Sequence, residues 1–125
     1  MRVGPFRKAA KVPYPNAYAS PEQIAAASAE DKQALYLFNC AQRAHYNFLE
    51  NHLNMLAPML IAGVQFPIAS AVTGVAWSVF RLLYALGYTS KTHQNGKGRM
   101  AGSGFWLAQL VLAGLAGYSG VKMLS

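Results

Sequence analysis

Two long stretches of the sequence are almost free of charge. Residues 68–88 contain one charged side chain, Arg81, and residues 101–123 contain one, Lys122, close to their end. A helix of about twenty apolar residues is long enough to cross the hydrocarbon core of a bilayer. Charged residues make up only 12% of the chain, which is about half the share found in soluble domains. Both stretches therefore predict membrane-spanning helices.

A third span is predicted ahead of these two. Residues 33–64 contain no proline before Pro58 and become densely apolar from Phe48 onward. This pattern favours one long helix whose membrane part covers about residues 41–64. Its polar first half, taken alone, fits a soluble bundle of buried helices equally well. With spans at 41–64, 68–88 and 101–123, we predict an all-α integral membrane helical bundle, whose membrane domain is residues 20–125.

The N-terminal segment, residues 1–19, combines basic side chains with three prolines, Pro5, Pro13 and Pro15. Proline fixes φ and removes a backbone donor, so an extended basic arm is predicted here. A net charge of +7 is compatible with a nucleic-acid partner. The cations, however, cluster beside apolar sequence, in this arm and in residues 89–100. This distribution favours membrane lipid as a partner and argues against nucleic acid.

The same charge distribution predicts an orientation. Three successive spans place the arm and the 89–100 loop on one side of the membrane, and both segments are basic. The connection at residues 65–67, on the other side, carries no charge. Because cytosolic loops of membrane proteins are enriched in Lys and Arg, the chain is predicted to be multi-pass with the arm and the loop in the cytosol.

Metal and disulfide chemistry have no support in the sequence. Cys40 is the single cysteine, so it cannot form an intramolecular disulfide. No set of Cys and His residues has the spacing of a metal site, and no metal is predicted. A site in this chain must therefore be built from other polar side chains.

Arg43, Asn47 and Glu50 form the first candidate site. Their spacings of four and three residues place them on one stripe of a helix, with Asn54 continuing it. One interpretation is a solvated face on which Arg43 and Glu50 make an ion pair of small energetic value. The other interpretation is one wall of a binding site.

A second stripe lies on the next span and consists of Trp77, Arg81, Tyr84 and Tyr88. Tyrosines are enriched at membrane interfaces, which alone explains Tyr84 and Tyr88. Arg81 needs a further explanation, since a guanidinium inside a span is energetically costly and normally faces the bundle interior or an anionic partner. We predict that Arg81 pairs with Glu50 or binds a ligand carboxylate.

Both stripes lie at the predicted cytosolic end, and Arg99 lies at the start of the last span. Two arginine-bearing faces with hydrogen-bonding groups predict a pocket for a polar anion beside lipid. Glutathione fits this description, since arginines bind its two carboxylates and a glutamate such as Glu50 binds its amino group. Its thiol must become a thiolate to react.

The run at residues 38–50, with its motif Arg-Ala-His-x-Asn-x-x-Glu from Arg43 to Glu50, resembles the signature of the MAPEG family, the membrane-associated proteins in eicosanoid and glutathione metabolism. The segments 81–88 and 99–103 reinforce the resemblance. It implies a four-helix membrane subunit that forms homotrimers in the endoplasmic reticulum membrane. It also implies that glutathione binds between adjacent subunits, near the cytosolic side.

The resemblance assigns roles to individual residues. Within one subunit it implies a glutathione site formed by Arg43, Asn47, Glu50, Tyr84 and Tyr88. Arg7 and His45 correspond to contacts made from a neighbouring subunit, and His45 lies on the other side of its helix from Arg43. Arg99 corresponds to the catalytic arginine that stabilises the glutathione thiolate.

The implied activity is a membrane-bound glutathione transferase that acts on hydrophobic electrophiles. Glutathione peroxidase activity on lipid hydroperoxides and leukotriene C4 synthase-like activity are further expectations. The alternatives are a non-catalytic lipid-binding or scaffold member of the family, or an inactive truncated form. The truncated form is an expectation because the family's first membrane helix lies ahead of the basic arm, which leaves three of four spans here.

Overall fold

The computed structural model describes residues 2–125, with only the backbone of Gln94. It is all-helical, as predicted for the fold class. In chain order, the α-helices are α1 (Val3–Ala10), α2 (Pro21–Ala26), α3 (Ala29–Gln65), α4 (Pro67–Tyr88) and α5 (Phe105–Leu124). A 3₁₀ segment, Gln94–Gly102, connects α4 to α5.

The helices α4 and α5 are long and apolar enough to cross a membrane, by length and composition. Their 22 and 20 residues correspond to about 33 and 30 Å. Large apolar side chains on their outer faces are exposed, as Ile68 and Leu110 illustrate at 79% and 70%. Lipid is a favourable surrounding for such faces, so they support the predicted membrane location.

The helix α3 is a single helix of 37 residues, about 55 Å long. The Ser28 hydroxyl caps its first turn by accepting from the backbone N–H of Asp31 at 3.2 Å. Pro58 lies inside the helix without ending it. The span predicted at residues 41–64 is the second half of α3, and its crossing of the membrane stays a prediction.

The basic arm is not extended along its whole length, which corrects the prediction for residues 1–19. Val3–Ala10 forms the helix α1, in which Pro5 occupies the first turn. Proline is tolerated there because the N–H groups of a first turn have no partner within the helix. Lys11 ends the helix in the left-handed conformation, and Pro13 and Pro15 lie in the irregular segment that follows.

The three long helices pack on a shared apolar core. It consists of Met55 from α3, Trp77 from α4, and three residues of α5, namely Phe105, Ala108 and Leu112. A second cluster, beside the arm, consists of Val12, Ala19, Leu35 and Phe38. The two clusters fix α4 and α5 against the middle of α3, and the arm against its N-terminal half.

Candidate functional site

The polar residues predicted on α3 and α4 meet where the two helices pack. The guanidinium of Arg81 donates from Nη1 to Asn47 Oδ1 at 2.8 Å, and from Nη2 to the carbonyl oxygen of Ala44 at 3.4 Å. Of the two partners predicted for Arg81, Glu50 is therefore not one. The nearest acceptor on α3 is the amide of Asn47, three residues before Glu50.

Arg81 is only 5% exposed, and aromatic rings surround its charge. Its Cζ atom lies 4.4 Å from the ring centroid of Phe105, 4.7 Å from that of Tyr84, and 5.8 Å from those of Phe48 and Trp77. Buried guanidinium groups are stabilised by such rings and by hydrogen bonds to oxygen. The arrangement holds the Arg81 fork in one orientation, directed at α3.

The orientation of Arg81 also determines what Asn47 presents. Because Asn47 Oδ1 accepts from Arg81, the Nδ2 group of the same amide is not engaged by Arg81. An amide nitrogen is a donor with two hydrogens. Asn47 thus offers a donor to an oxygen of a ligand, on the side of α3 that carries Arg43 and Glu50.

Arg43 and Glu50 form an ion pair on the outer face of α3. The distance from Arg43 Nη1 to Glu50 Oε1 is 3.4 Å, and both side chains are about half exposed. An exposed pair of this kind contributes about 0–1 kcal/mol to stability. Tyr18 lies beside Arg43; burial raises the pKa of Tyr18, and the Arg43 charge opposes that rise. The two charges are therefore accessible to a ligand.

The 3₁₀ segment lies directly on the last two turns of α4. Glycines make this possible, because an added Cβ at Gly98 would meet the backbone of Gly87, and one at Gly102 would meet the backbone of Tyr84. Gly96 has φ +64°, a conformation that favours glycine. The glycines of residues 94–104 thus allow the 3₁₀ segment to pack closely on α4, which places Arg99 beside that helix.

Arg99 lies over Tyr88 at the cytosolic end predicted for α4. Its Cζ atom is 5.4 Å from the Tyr88 ring centroid, and its Nη1 donates to the carbonyl oxygen of Gly96 at 3.3 Å. The Tyr88 ring meets Tyr84 edge-on, with centroids 5.6 Å apart. A cation and two phenol groups therefore line one side of α4.

Tyr84 connects the two groups of residues. Its ring centroid lies 4.7 Å from Arg81 Cζ, and its ring meets that of Tyr88, over which Arg99 lies. We define the polar wall as the residues that the structure brings together around it: Arg43, Asn47, Glu50, Arg81, Tyr84, Tyr88 and Arg99. Positive charge predominates on this wall, as a doubly carboxylated ligand requires.

Arg7 lies away from the polar wall and is buried. Its Nη1 donates to the carbonyl oxygen of Asn16 at 2.7 Å and to that of Val12 at 3.4 Å. Its Cζ atom lies 4.2 Å from the ring centroid of Tyr14 and 4.7 Å from that of Phe38. Within one subunit, Arg7 therefore folds the arm against α3.

His45 is also separate from the polar wall, since it lies two residues, or about 200°, from Arg43 on α3. It lines a cavity of about 520 Å³ between α1, α3 and α4. The other walls of the cavity include Phe48, Trp77 and Arg81. Arg81 thus belongs both to the cavity and to the polar wall, whereas His45 and Arg43 lie on different faces of α3.

Tyr36 and Cys40 extend the polar stripe of α3 toward the arm. Neither was predicted from the sequence as a site residue. The Tyr36 hydroxyl is buried with no hydrogen-bond partner among the described residues. Burial raises the pKa of Tyr36 and that of the neighbouring Cys40 thiol. A buried thiol with a raised pKa is a poor nucleophile. The spacing of Tyr36, seven residues before Arg43, was the signal available.

Asn51 and Gln109 were also not predicted from the sequence as residues that support the site. Asn51 is 4% exposed, next to Glu50 in sequence but facing the bundle, and Gln109 is the one side-chain amide in α5. A hydrogen bond from Gln109 Nε2 to Asn51 Oδ1, 3.4 Å long, joins α5 to α3. The available signal was an amide within an apolar span, where polar side chains pair across helices.

Comparison with known proteins identifies a family. The family model described as "MAPEG family" matches residues 1–118, which is nearly the whole chain. The match confirms the resemblance found in residues 38–50. No solved structure matches the chain.

Proposed function

Because the chain belongs to the MAPEG family, we propose that it is a membrane-bound glutathione transferase of the type of microsomal glutathione S-transferase 3. It conjugates glutathione to hydrophobic electrophiles, reduces lipid hydroperoxides with glutathione, and has leukotriene C4 synthase-like activity. The family includes glutathione transferases and related enzymes. The observation that carries the proposal is the polar wall, in which three arginines, one carboxylate and two tyrosines converge.

The groups on the polar wall match those of glutathione. Arg43, half exposed, presents a fork to one carboxylate, and Glu50 beside it accepts from the ammonium group. Asn47 donates from Nδ2 to a peptide oxygen, in the orientation that Arg81 imposes. Tyr84 and Tyr88 offer hydroxyl groups further along α4, toward Arg99. Charge-assisted contacts at both ends fix the position of the tripeptide.

Arg99 stabilises the thiolate. A fixed cation favours S⁻ over SH, and each pKa unit of lowering corresponds to about 1.4 kcal/mol. The 3₁₀ segment holds Arg99 over Tyr88 through backbone carbonyl oxygens, so the cation is in place before glutathione binds. In the conjugation step the sulfur lone pair forms a C–S bond at the electrophilic carbon, and the leaving group departs with its bonding pair.

The same thiolate supports peroxide reduction. The sulfur attacks the distal oxygen of a hydroperoxide, the O–O bond breaks, and the alkoxide takes up a proton to give the alcohol. Glutathione sulfenic acid then condenses with a second glutathione, giving the disulfide and water. No protein thiol is required, in agreement with the buried state of Cys40.

The proposed setting is the endoplasmic reticulum membrane, with the chain as a homotrimer. The polar wall lies at one end of α4, and the apolar outer faces of α4 and α5 allow a hydrophobic substrate to reach it from lipid. His45 lies off the wall of its own subunit, which is compatible with a contact to the site of a neighbour. Arg7 is buried in its own subunit, so a contact to a neighbour's site has more support for His45 than for Arg7.

Purified protein in lipid nanodiscs tests the proposal. Glutathione binding is measured by calorimetry, and conjugation is measured with 1-chloro-2,4-dinitrobenzene. We expect glutathione binding and conjugation in the parent protein and neither of them in the double variant Arg43→Ala/Glu50→Ala. The matched control is Glu30→Ala/Lys32→Ala, which removes an exposed pair of charges from the same helix.

Each alternative result has a defined meaning. Binding without conjugation or peroxide reduction identifies a non-catalytic member of the family. Absence of binding in the parent protein contradicts the assigned site. Equal binding by the parent and the Arg43→Ala/Glu50→Ala variant places the glutathione site elsewhere.

A further inference from the structure

A partly buried series of hydrogen bonds joins the three long helices. Trp77 Nε1 on α4 donates to Gln109 Oε1 on α5 at 3.0 Å, and Gln109 Nε2 donates to Asn51 Oδ1 on α3 at 3.4 Å. Asn51 Nδ2 in turn donates to the backbone carbonyl oxygen of Asn47 at 2.8 Å. We call these four residues the amide relay.

The amide relay has one possible direction. The indole N–H of Trp77 only donates, so the Gln109 oxygen must face it and the Gln109 NH₂ group must face Asn51. The Asn51 oxygen then accepts, and its NH₂ group is left to donate to a carbonyl oxygen, which only accepts. Because each amide has a single allowed orientation, the relay specifies the positions of its side chains as well as their pairing.

The amide relay ends at the residue that the polar wall depends on. Asn47 receives Asn51 on its backbone oxygen and Arg81 on its side-chain oxygen. Trp77 and Arg81 lie one turn apart on α4, so the contacts form a closed circuit through all three helices. A shift of α5 would therefore be transmitted to both acceptors on Asn47.

We propose that Gln109 is a positioning residue for the glutathione site, through Asn51 and Asn47. It does not touch glutathione; it holds α5 in register with the segment of α3 that presents the Asn47 donor. This inference rests on the proposed function. An unpaired amide in an apolar span raises the free energy of the folded state. The hydrogen bonds that pair Gln109 lead through Asn51 to Asn47 at the site.

The test compares two substitutions on one face of α5. Gln109→Met removes both hydrogen bonds while keeping the length and an apolar shape. Leu112→Val, at a position with no exposure, disturbs the same core and leaves the amide relay intact. We expect the Kd for glutathione to rise about three- to tenfold in Gln109→Met. We expect an unchanged Kd in Leu112→Val, although both variants lower the melting temperature.

Two further readouts separate positioning from packing. In Gln109→Met the KM for glutathione rises, whereas the KM for the hydrophobic electrophile stays at the parent value. Trp77→Phe, which removes the indole donor at the start of the relay together with part of the ring area in the core, raises the Kd similarly. Combining it with Gln109→Met adds little, since residues in one hydrogen-bond network are not additive.

The outcomes are distinguishable. If the parent protein binds no glutathione, the proposed function fails and this inference fails with it. If the parent binds and Gln109→Met binds equally well, only the role of Gln109 is overturned. If Gln109→Met does not fold, Trp77→Phe decides, and an unchanged Kd in that variant contradicts the proposal. The proposal is also contradicted if the Kd rises in Leu112→Val as much as in Gln109→Met, in proportion to the loss of melting temperature in each variant.

Discussion

The Arg81 guanidinium and the Asn47 side-chain amide are joined by a 2.8 Å hydrogen bond between the C-terminal half of α4 and the middle of α3. Neither group is free to rotate, because four aromatic rings surround Arg81 and its second nitrogen donates to the backbone of Ala44. The pair therefore defines which side of Asn47 faces a ligand.

Asn47→Asp separates the two roles of Asn47. A carboxylate still accepts from Arg81, and with a stronger, charge-assisted bond, so the melting temperature should not fall below that of the parent. The aspartate cannot donate to a ligand oxygen, so the Kd for glutathione should rise about tenfold. Thermal melting and calorimetry on one preparation measure both.

Asn54→Asp is the matched control for that substitution. Asn54 lies on the same stripe of α3, is exposed, and makes only a 3.4 Å contact to the backbone oxygen of Glu50. It adds the same charge without touching Arg81. An equal loss of glutathione affinity in the two variants would mean that added negative charge, not the missing donor, causes the effect.

Glu50→Gln should reduce affinity for glutathione without reducing stability. The Arg43–Glu50 pair is half exposed, so the free energy of unfolding should change by less than about 1 kcal/mol. The affinity loss should disappear when the ligand is a glutathione analogue that lacks the amino group. Calorimetry with both ligands checks this, with Glu30→Gln, an exposed carboxylate on the same helix, as the control.

An affinity loss of the same size for both ligands would contradict the assignment of Glu50 to the ammonium group. It would indicate instead that Glu50 acts only by orienting Arg43, since both ligands present the same carboxylates to that arginine.

Gly96→Ala should displace Arg99 from Tyr88. At φ +64° a Cβ is strained by about 1 kcal/mol, and it would lie 2.7 Å from Tyr88 Cε1 and 3.2 Å from Arg99 Nη1. We expect lower stability and a lower kcat/KM for conjugation. Steady-state kinetics and thermal melting measure the two effects.

Gly114→Ala is the control with the opposite sign. Apart from its chain neighbours and the backbone of its own helix, no atom lies within 4 Å of a Cβ at Gly114. Alanine in a helix interior is favoured over glycine by up to about 1 kcal/mol. Stability should rise and kcat/KM should not change. Unchanged kinetics in Gly96→Ala would remove the link between the 3₁₀ segment and catalysis.

The predicted orientation is tested by labelling single cysteines in sealed microsomes. In a Cys40→Ser background, Thr92→Cys places a thiol in the basic 89–100 loop. Gln65→Cys places one at the C-terminal end of α3, beside the uncharged connection to α4. A membrane-impermeant maleimide should label Thr92→Cys directly and Gln65→Cys only after detergent is added. Labelling in the reverse order would place the polar wall on the lumenal side.

The helices could be predicted from the sequence because their causes are local. Long uncharged runs predict α4 and α5, and the uncharged Gln65–Phe66–Pro67 connection marks the break between α3 and α4. The arm was predicted less well. Counting prolines suggested an extended chain, but Pro5 falls in a first turn, where proline does no harm, and Arg7 then packs the helix against α3.

The partner of Arg81 could not be predicted from spacing alone. Sequence shows that a cation inside a span needs a partner, but Asn47 and Glu50 are less than one turn apart. The depth and rotation of two packed helices decide between them, and those depend on Phe48, Trp77 and Phe105. Gln109 was missed for the same reason, since its partners lie 32 and 58 residues away in sequence.

The most direct measurement is a pH titration of the ultraviolet thiolate absorbance of glutathione bound to the protein in nanodiscs. The parent complex should titrate well below the ordinary thiol pKa of about 8.5, because Arg99 favours the thiolate. Arg99→Ala should return the midpoint to that of free glutathione, whereas Lys97→Ala, an exposed cation two residues away, should leave it low. An Arg99→Ala complex that titrates like the parent, or a parent complex without a thiolate signal near neutral pH, would contradict the account.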